Sequence, residues 1–251
     1  MYPLLPWKWL GSLLTAVVGS TVYADKLAHW VGVENPDGAV IRLLPLFILT
    51  LFAAVFAPTG HWAPWRIAWR LFPSLNKFFP DLNGVWVGST SSNWPTINKL
   101  IEAAQSPSSI TESELHSAAE QQDALAIQIT NSLFNLKISA SLSSTGGESH
   151  SITAKPWRHQ HTERVHISYV YRQHTPNHAI TDEEEHLGAA DLVLAQERRP
   201  AAEGTYWTRR SWRTGRNTAG RIQVFRLPYK GRERKPLHEY ATEQMSRLNS
   251  Q

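Results

Sequence analysis

The segment "EGTYWTRR", residues 203–210, sorts its chemistry by parity. On an extended strand Gly204, Tyr206, Thr208 and Arg210 share one face, and Thr205, Trp207 and Arg209 share the other. A guanidinium is a planar, permanently charged fork that matches the oxygens of a phosphate or carboxylate. The chemistry on offer is recognition of an anion beside an aromatic ring. The surroundings agree: Arg198–Lys235 holds 12 basic residues against two acidic ones, Glu203 and Glu233, whereas Asp81–Glu197 holds 14 acidic and 6 basic. So dense a basic block suits phosphate, nucleic acid or lipid headgroups; the alternative is a solvated face that balances the acidic half.

Other chemistries find less support. With no cysteine there is no disulfide framework, zinc-thiolate site or Cys nucleophile. His159 and His161 are two apart and could chelate from a strand, but no third ligand has convincing spacing, so no metal is expected. The run Asp182–Glu185 reads as a solvated loop. No P-loop, nucleophile elbow or catalytic carboxylate pair is recognisable, and the expectation is a binding protein, not an enzyme.

Residues 7–24 and 39–57 are apolar runs with one charge each, Lys8 and Arg42, near their ends. Each approaches the roughly 20 residues that cross a bilayer as a helix. Six of the 11 tryptophans, Trp7, Trp9, Trp30, Trp62, Trp65 and Trp69, lie in this first third, as interfacial belts require. "VYA" at 22–24 also suits a signal-peptide cleavage site, but the run is long for that reading and has one Lys before it. Gly11, Thr15 and Gly19 repeat at four-residue spacing, which lets helices approach closely. Arg66, Arg70 and Lys77 follow the second run, which places the C-terminal part in the cytoplasm of a multi-pass protein.

Beyond Asp81 the apolar period becomes two, the signature of strands. In "FNLKISASL", Phe134, Leu136, Ile138, Ala140 and Leu142 alternate with polar residues, and Val165, Ile167, Tyr169 and Tyr171 share a face. Strands are predicted at 82–90, 123–130, 133–142, 149–156, 163–172, 187–195, 204–212 and 220–227. A helical insert falls at 95–120, an acidic loop at 173–186, and a polar, partly ordered tail after Lys230. The predicted fold is membrane α plus all-β: domain 1–80 carries two transmembrane helices and an interfacial linker. Domain 81–251 is a compact antiparallel meander β-barrel, lipocalin-like and of about eight strands, since closing a meander removes its edges.

In order behind two apolar runs, "LNGVWVG" (82–88), "SYVYRQHTP" (168–176), "HLGAADLVL" (186–194), "EGTYWTRR" (203–210) and "GRIQVFR" (220–226) resemble the two-transmembrane β-barrel effectors of bacterial CBASS anti-phage systems. The resemblance covers most of the chain; the insert and the Arg-rich turn 213–220 depart from a compact version. It implies a cyclic dinucleotide receptor linked to a cyclic-oligonucleotide synthase and set in the inner membrane. Ligand binding would drive self-association into homo-oligomers and disruption of the lipid bilayer, an abortive infection. No cofactor is implied beyond that ligand. The resemblance turns the Arg210 face inward, and names Arg210, Thr208, Tyr206, Tyr169, Tyr171 and Trp86 as ligand-binding residues. Arginine would fork onto phosphate, and each aromatic stack on a base would contribute roughly 1–3 kcal/mol. Each residue has a second reading: Trp86 as a barrel-end plug, Arg210 stacked on that Trp, the tyrosines as core. A membrane-tethered carrier of a lipid or other apolar ligand, with an aliphatic lumen and no convergent Arg, is the alternative function. A barrel that docks another membrane protein is the third.

Overall fold

The computed structural model describes most of residues 80–250, apart from 107–109, 132–134, 177–182, 196–199 and 229–234, together with 15, 19, 26, 30, 69–74 and 76. The two apolar runs therefore lie outside the described residues except at Thr15 and Gly19, and the predicted spans stand as expectations. Two compact units are present: Met1–Asp81 with Asn131–Asn135, and Leu82–Thr130 with Leu136–Gln251.

The second unit holds eight strands: β1 Gly84–Ser92, β2 Gln121–Asn131, β3 Leu136–Leu142, β4 Glu148–Arg158, β5 Val165–His174, β6 Glu185–Ala195, β7 Ala201–Arg209 and β8 Ala219–Arg226. They form a closed barrel in sequence order. Closure comes from an antiparallel ladder between β1 and β8, running from Trp86 opposite Arg226 to Ser92 opposite Gly220. Alternation dictates the arrangement: one parity of each strand fills the lumen, and no edge is left unpaired.

The end of the barrel where β1 begins is packed solid. Trp86, Ile127, Ile167 and Leu192 are essentially without exposure, and Leu82 and Ile129 join them. The Trp86 indole N–H donates to the Leu82 carbonyl at 3.0 Å, so the ring's one polar atom is satisfied inside the plug. Gly84 takes a positive φ of 132°, a conformation that favours glycine, and a Cβ there would lie 3.3 Å from Arg226 Nε. The late-strand Arg beside Trp86 is thus Arg226. Arg210 belongs to the opposite end, which removes the reading in which it stacks on Trp86.

Helix α1 (Trp94–Gln105) starts two residues after β1, and α2 (Glu112–His116) follows. Thr111 and Glu114 form a reciprocal capping box that starts α2, and Lys99 Nζ donates to the Glu114 carbonyl at 3.0 Å, joining the two helices. The insert is helical as predicted. Within the polar tail, Leu237–Leu248 forms a helix, α3, that the sequence pattern did not single out. Ala241, Leu237 and Tyr240 pack on Val85, Val87, Ala126 and Phe225, covering apolar positions on the outside of the barrel.

Candidate functional site

Toward the other end the inward residues shrink and become polar, and a cavity of about 400 Å³ opens. That is within the roughly 300–1,000 Å³ usual for ligand pockets. Its apolar lining includes Leu125, Ala140 and Ile222.

The wall from β5 to β8 carries aromatic rings and cations. Tyr169 and Tyr171 point inward from alternate positions of β5, 6 % and 8 % exposed, with ring centroids 5.8 Å apart at 42°. Beside them β6 supplies small residues: Gly188 pairs with Tyr171 on one side and Thr208 on the other, and Ala190 lies between Tyr169 and Tyr206. A Cβ on Gly188 would come within 2.3 Å of the Tyr171 ring, so the missing side chain is what seats that ring. Burial pushes both phenols well above the usual tyrosine range; for Tyr171 the neighbouring Tyr169 and Tyr206 add to the rise and Arg210 opposes it. Both therefore remain neutral O–H donors near neutral pH. The Thr208 hydroxyl lies 2.9 Å from that of Thr218 and accepts from the Thr218 N–H at 3.1 Å, closing the β7–β8 hairpin at the cavity wall.

Arg210 stands one residue past the end of β7. Its backbone N–H donates to Asn217 Oδ1 at 3.0 Å, and its Nη2 donates to His186 Nε2 at 3.2 Å. A guanidinium can only donate, so the imidazole accepts and carries its own proton on Nδ1. His186 is buried on β6 and thereby holds the guanidinium over the cavity. Arg216, from the turn between β7 and β8, lines the same cavity. Two half-buried cations thus share one opening.

The wall from β1 to β4 differs. It presents Thr90, Ser92, Ser141, Ser144 and Ser149, with Gln121 and the carboxylate of Asp123. Trp94, the first residue of α1, adds a ring to the lining.

Five of the six expected residues, Arg210, Thr208, Tyr206, Tyr169 and Tyr171, line this one cavity; Trp86 is not among the lining residues and sits in the packed end. Sequence reasoning did not single out Arg216, Asp123, Gly188, His186 or Trp94. Only the Arg-rich turn hinted at the first of these. His159 and His161 lie in the turn between β4 and β5, with ring centroids 5.9 Å apart. His159 also stacks toward His166, which bonds Asp191 at 2.9 Å. Among the described residues no group of three or more His, Asp or Glu is placed to hold a metal ion.

Comparison with known proteins bears on this barrel. Residues 109–226 match the family model described as Cap15, cyclic dinucleotide receptor domain. The match takes in β2 to β8 but not β1 or α1. A curated relative, CD-NTase-associated protein 15 of Escherichia albertii, is 27% identical over 149 residues, covering 59% of this chain and 63% of the relative. The chain thus spans less than two thirds of that relative's length. Over residues 109–226 the chain is thus similar to a Cap15 cyclic dinucleotide receptor domain.

Proposed function

We propose that the barrel is the sensor of a membrane effector: its open end takes a cyclic dinucleotide, and occupation drives the chain into homo-oligomers that breach the inner membrane. The observation that carries this reading is the pair of guanidiniums, Arg210 and Arg216, at one cavity whose wall holds Tyr169, Tyr171 and Tyr206. A cyclic dinucleotide has two phosphates and two bases, and this wall offers two forks and three rings. The forks would each take a phosphate through charge-assisted bonds, and the rings would bound the bases. Binding, not catalysis, is the role assigned.

The step from binding to membrane damage is linkage. A ligand that binds the assembled form more tightly shifts the population toward assembly by that difference in affinity, and about 5.5 kcal/mol carries an equilibrium from 1:99 to 99:1. The apolar runs 7–24 and 39–57 are the segments that would act on the bilayer, with the barrel on the cytoplasmic side.

Thermal shift of the full chain against a panel of cyclic dinucleotides and a panel of phospholipids tests the reading. Stabilisation by at least one dinucleotide, absent in Arg210→Ala, is expected. Stabilisation by lipids alone would make the protein a tethered carrier, and silence toward both would leave a docking module.

A further inference from the structure

Asp123 is out of place in a cup for a dianion. Of the described residues that line the cavity it alone is acidic. It sits on β2, inward and 8 % exposed, one inward position above Leu125. Its oxygens are held with unusual care. Oδ1 accepts from Ser143 Oγ at 2.6 Å and from the Ser144 N–H at 3.2 Å, and Oδ2 accepts from Ser144 Oγ. All three donors come from the turn between β3 and β4, so the carboxylate is locked in one orientation.

Each carboxylate oxygen can accept about two hydrogen bonds. Oδ1 has its two. Among the described residues Oδ2 accepts only from Ser144 Oγ, which leaves it one acceptor site. No Lys or Arg of the described residues forms an ion pair with this carboxylate. Leaving a buried acceptor unmatched costs about 1–3 kcal/mol, and more when it is charged. A carboxylate in this setting repels phosphate and any carbonyl edge, and it attracts a donor.

We propose that Asp123 is the base-reading group of the cavity, and that it selects a nucleobase with an exocyclic amino group through one N–H···Oδ2 bond. This rests on the cyclic dinucleotide reading above. The division of labour follows from the walls: phosphates go to Arg210 and Arg216, and an amino edge goes to the hydroxyl-and-carboxylate wall. Adenine, cytosine and guanine carry such a group; uracil and hypoxanthine carry none.

The test uses pairs that differ at one substituent. Affinities of the full chain are measured for cyclic di-AMP, di-GMP and di-IMP, and for di-CMP and di-UMP. In the pair that contains the tightest ligand, the amino member is expected to bind at least tenfold more tightly than its amino-free counterpart. Asp123→Asn keeps the shape but can turn an N–H₂ toward the ligand. It is expected to collapse that ratio or reverse it toward the carbonyl member, whereas a merely structural role would weaken all ligands alike and keep the ratio. If Asp123→Asn fails to fold, the ratios of the unaltered chain decide alone. Equal affinities within twofold in every pair, or a ratio unchanged by Asp123→Asn, would overturn the inference while leaving the receptor reading intact. Failure of every dinucleotide to bind would sink both.

Discussion

At the end of the barrel where β1 begins, the lumen is closed by Trp86, Ile127, Ile167 and Leu192; at the far end the same strands enclose a cavity. The transition can be followed along single strands. On β1 the inward positions run Trp86, Gly88, Thr90, Ser92; on β2 they run Ile129, Ile127, Leu125, Asp123, Gln121; on β7 they run Ala202, Gly204, Tyr206, Thr208 and, just past the strand, Arg210. Burial of large apolar groups stabilises the closed end and leaves nothing for a ligand to touch. The open end gives up that packing for hydroxyls, phenols and cations. On the proposed function, stability and recognition are separated along one axis, and each should be damaged largely without the other.

Trp86→Ala should produce the largest effect. Removing a buried Trp costs about 3–5 kcal/mol, read as a fall in the urea midpoint of the full chain. Ligand affinity of the molecules that remain folded should be unchanged. A stable Trp86→Ala protein that had lost binding would reverse the roles of the two ends.

Arg210→Ala should do the opposite. Hydrogen bonds to charged groups are worth about 1.5–3 kcal/mol, so affinity for a cyclic dinucleotide should fall by about 10- to 150-fold. Stability should fall by no more than about 1–3 kcal/mol, the cost of leaving the buried His186 Nε2 without its donor. Unfolding of this variant would mark Arg210 as structural.

Gly188→Ala probes the boundary. The added methyl collides with the Tyr171 ring, and such overpacking costs about 1–3 kcal/mol. Because the displaced ring lines the cavity, calorimetry should find stability and affinity lowered together. Loss of stability alone would remove Tyr171 from the binding wall.

Arg216→Ala should have the smallest effect, a weakening of about threefold to tenfold. It sits on a turn at the cavity opening, where solvent screens its charge. The loss should shrink further as salt is raised, and a loss that persists at high salt would place Arg216 deeper in binding than its position implies.

Much of the barrel was legible from alternation. A strand with one face in the lumen must repeat every second residue, and Val165, Ile167, Tyr169 and Tyr171 do so without a break. Strand ends were less legible: β7 was placed at 204–212 and ends at Arg209, because Arg210 keeps the parity of the strand after the strand has stopped. The α3 helix escaped notice because it is mostly polar. Its order comes from Leu237, Tyr240 and Ala241 meeting an apolar patch on the outer wall, most of which (Val85, Val87 and Ala126) lies over 100 residues away in sequence. In hindsight the signal was on the strands. Val85 and Val87 are outward on β1, and Ala124 and Ala126 on β2, and these apolar positions required a cover.

In the site, the family pattern led to Arg210 and its face, since parity alone cannot say which face is the lumen. Asp123 gave no signal, because a lone acid at the start of a strand looks like any solvated residue. Its meaning depends on Ser143 and Ser144 folding back over it, and on which end of the barrel stays open. Gly188 was equally silent, for its role is to be absent beside Tyr171.

Hydrogen exchange of the full chain, with and without a bound cyclic dinucleotide, tests the central claim most directly. The account predicts slowed exchange in the β7–β8 hairpin around 208–218 and in the β3–β4 turn around 143–147, with the strand segments around Trp86 and Ile127 unaffected. Protection confined to the packed end or to the outer wall, with both of those turns unchanged, would contradict it.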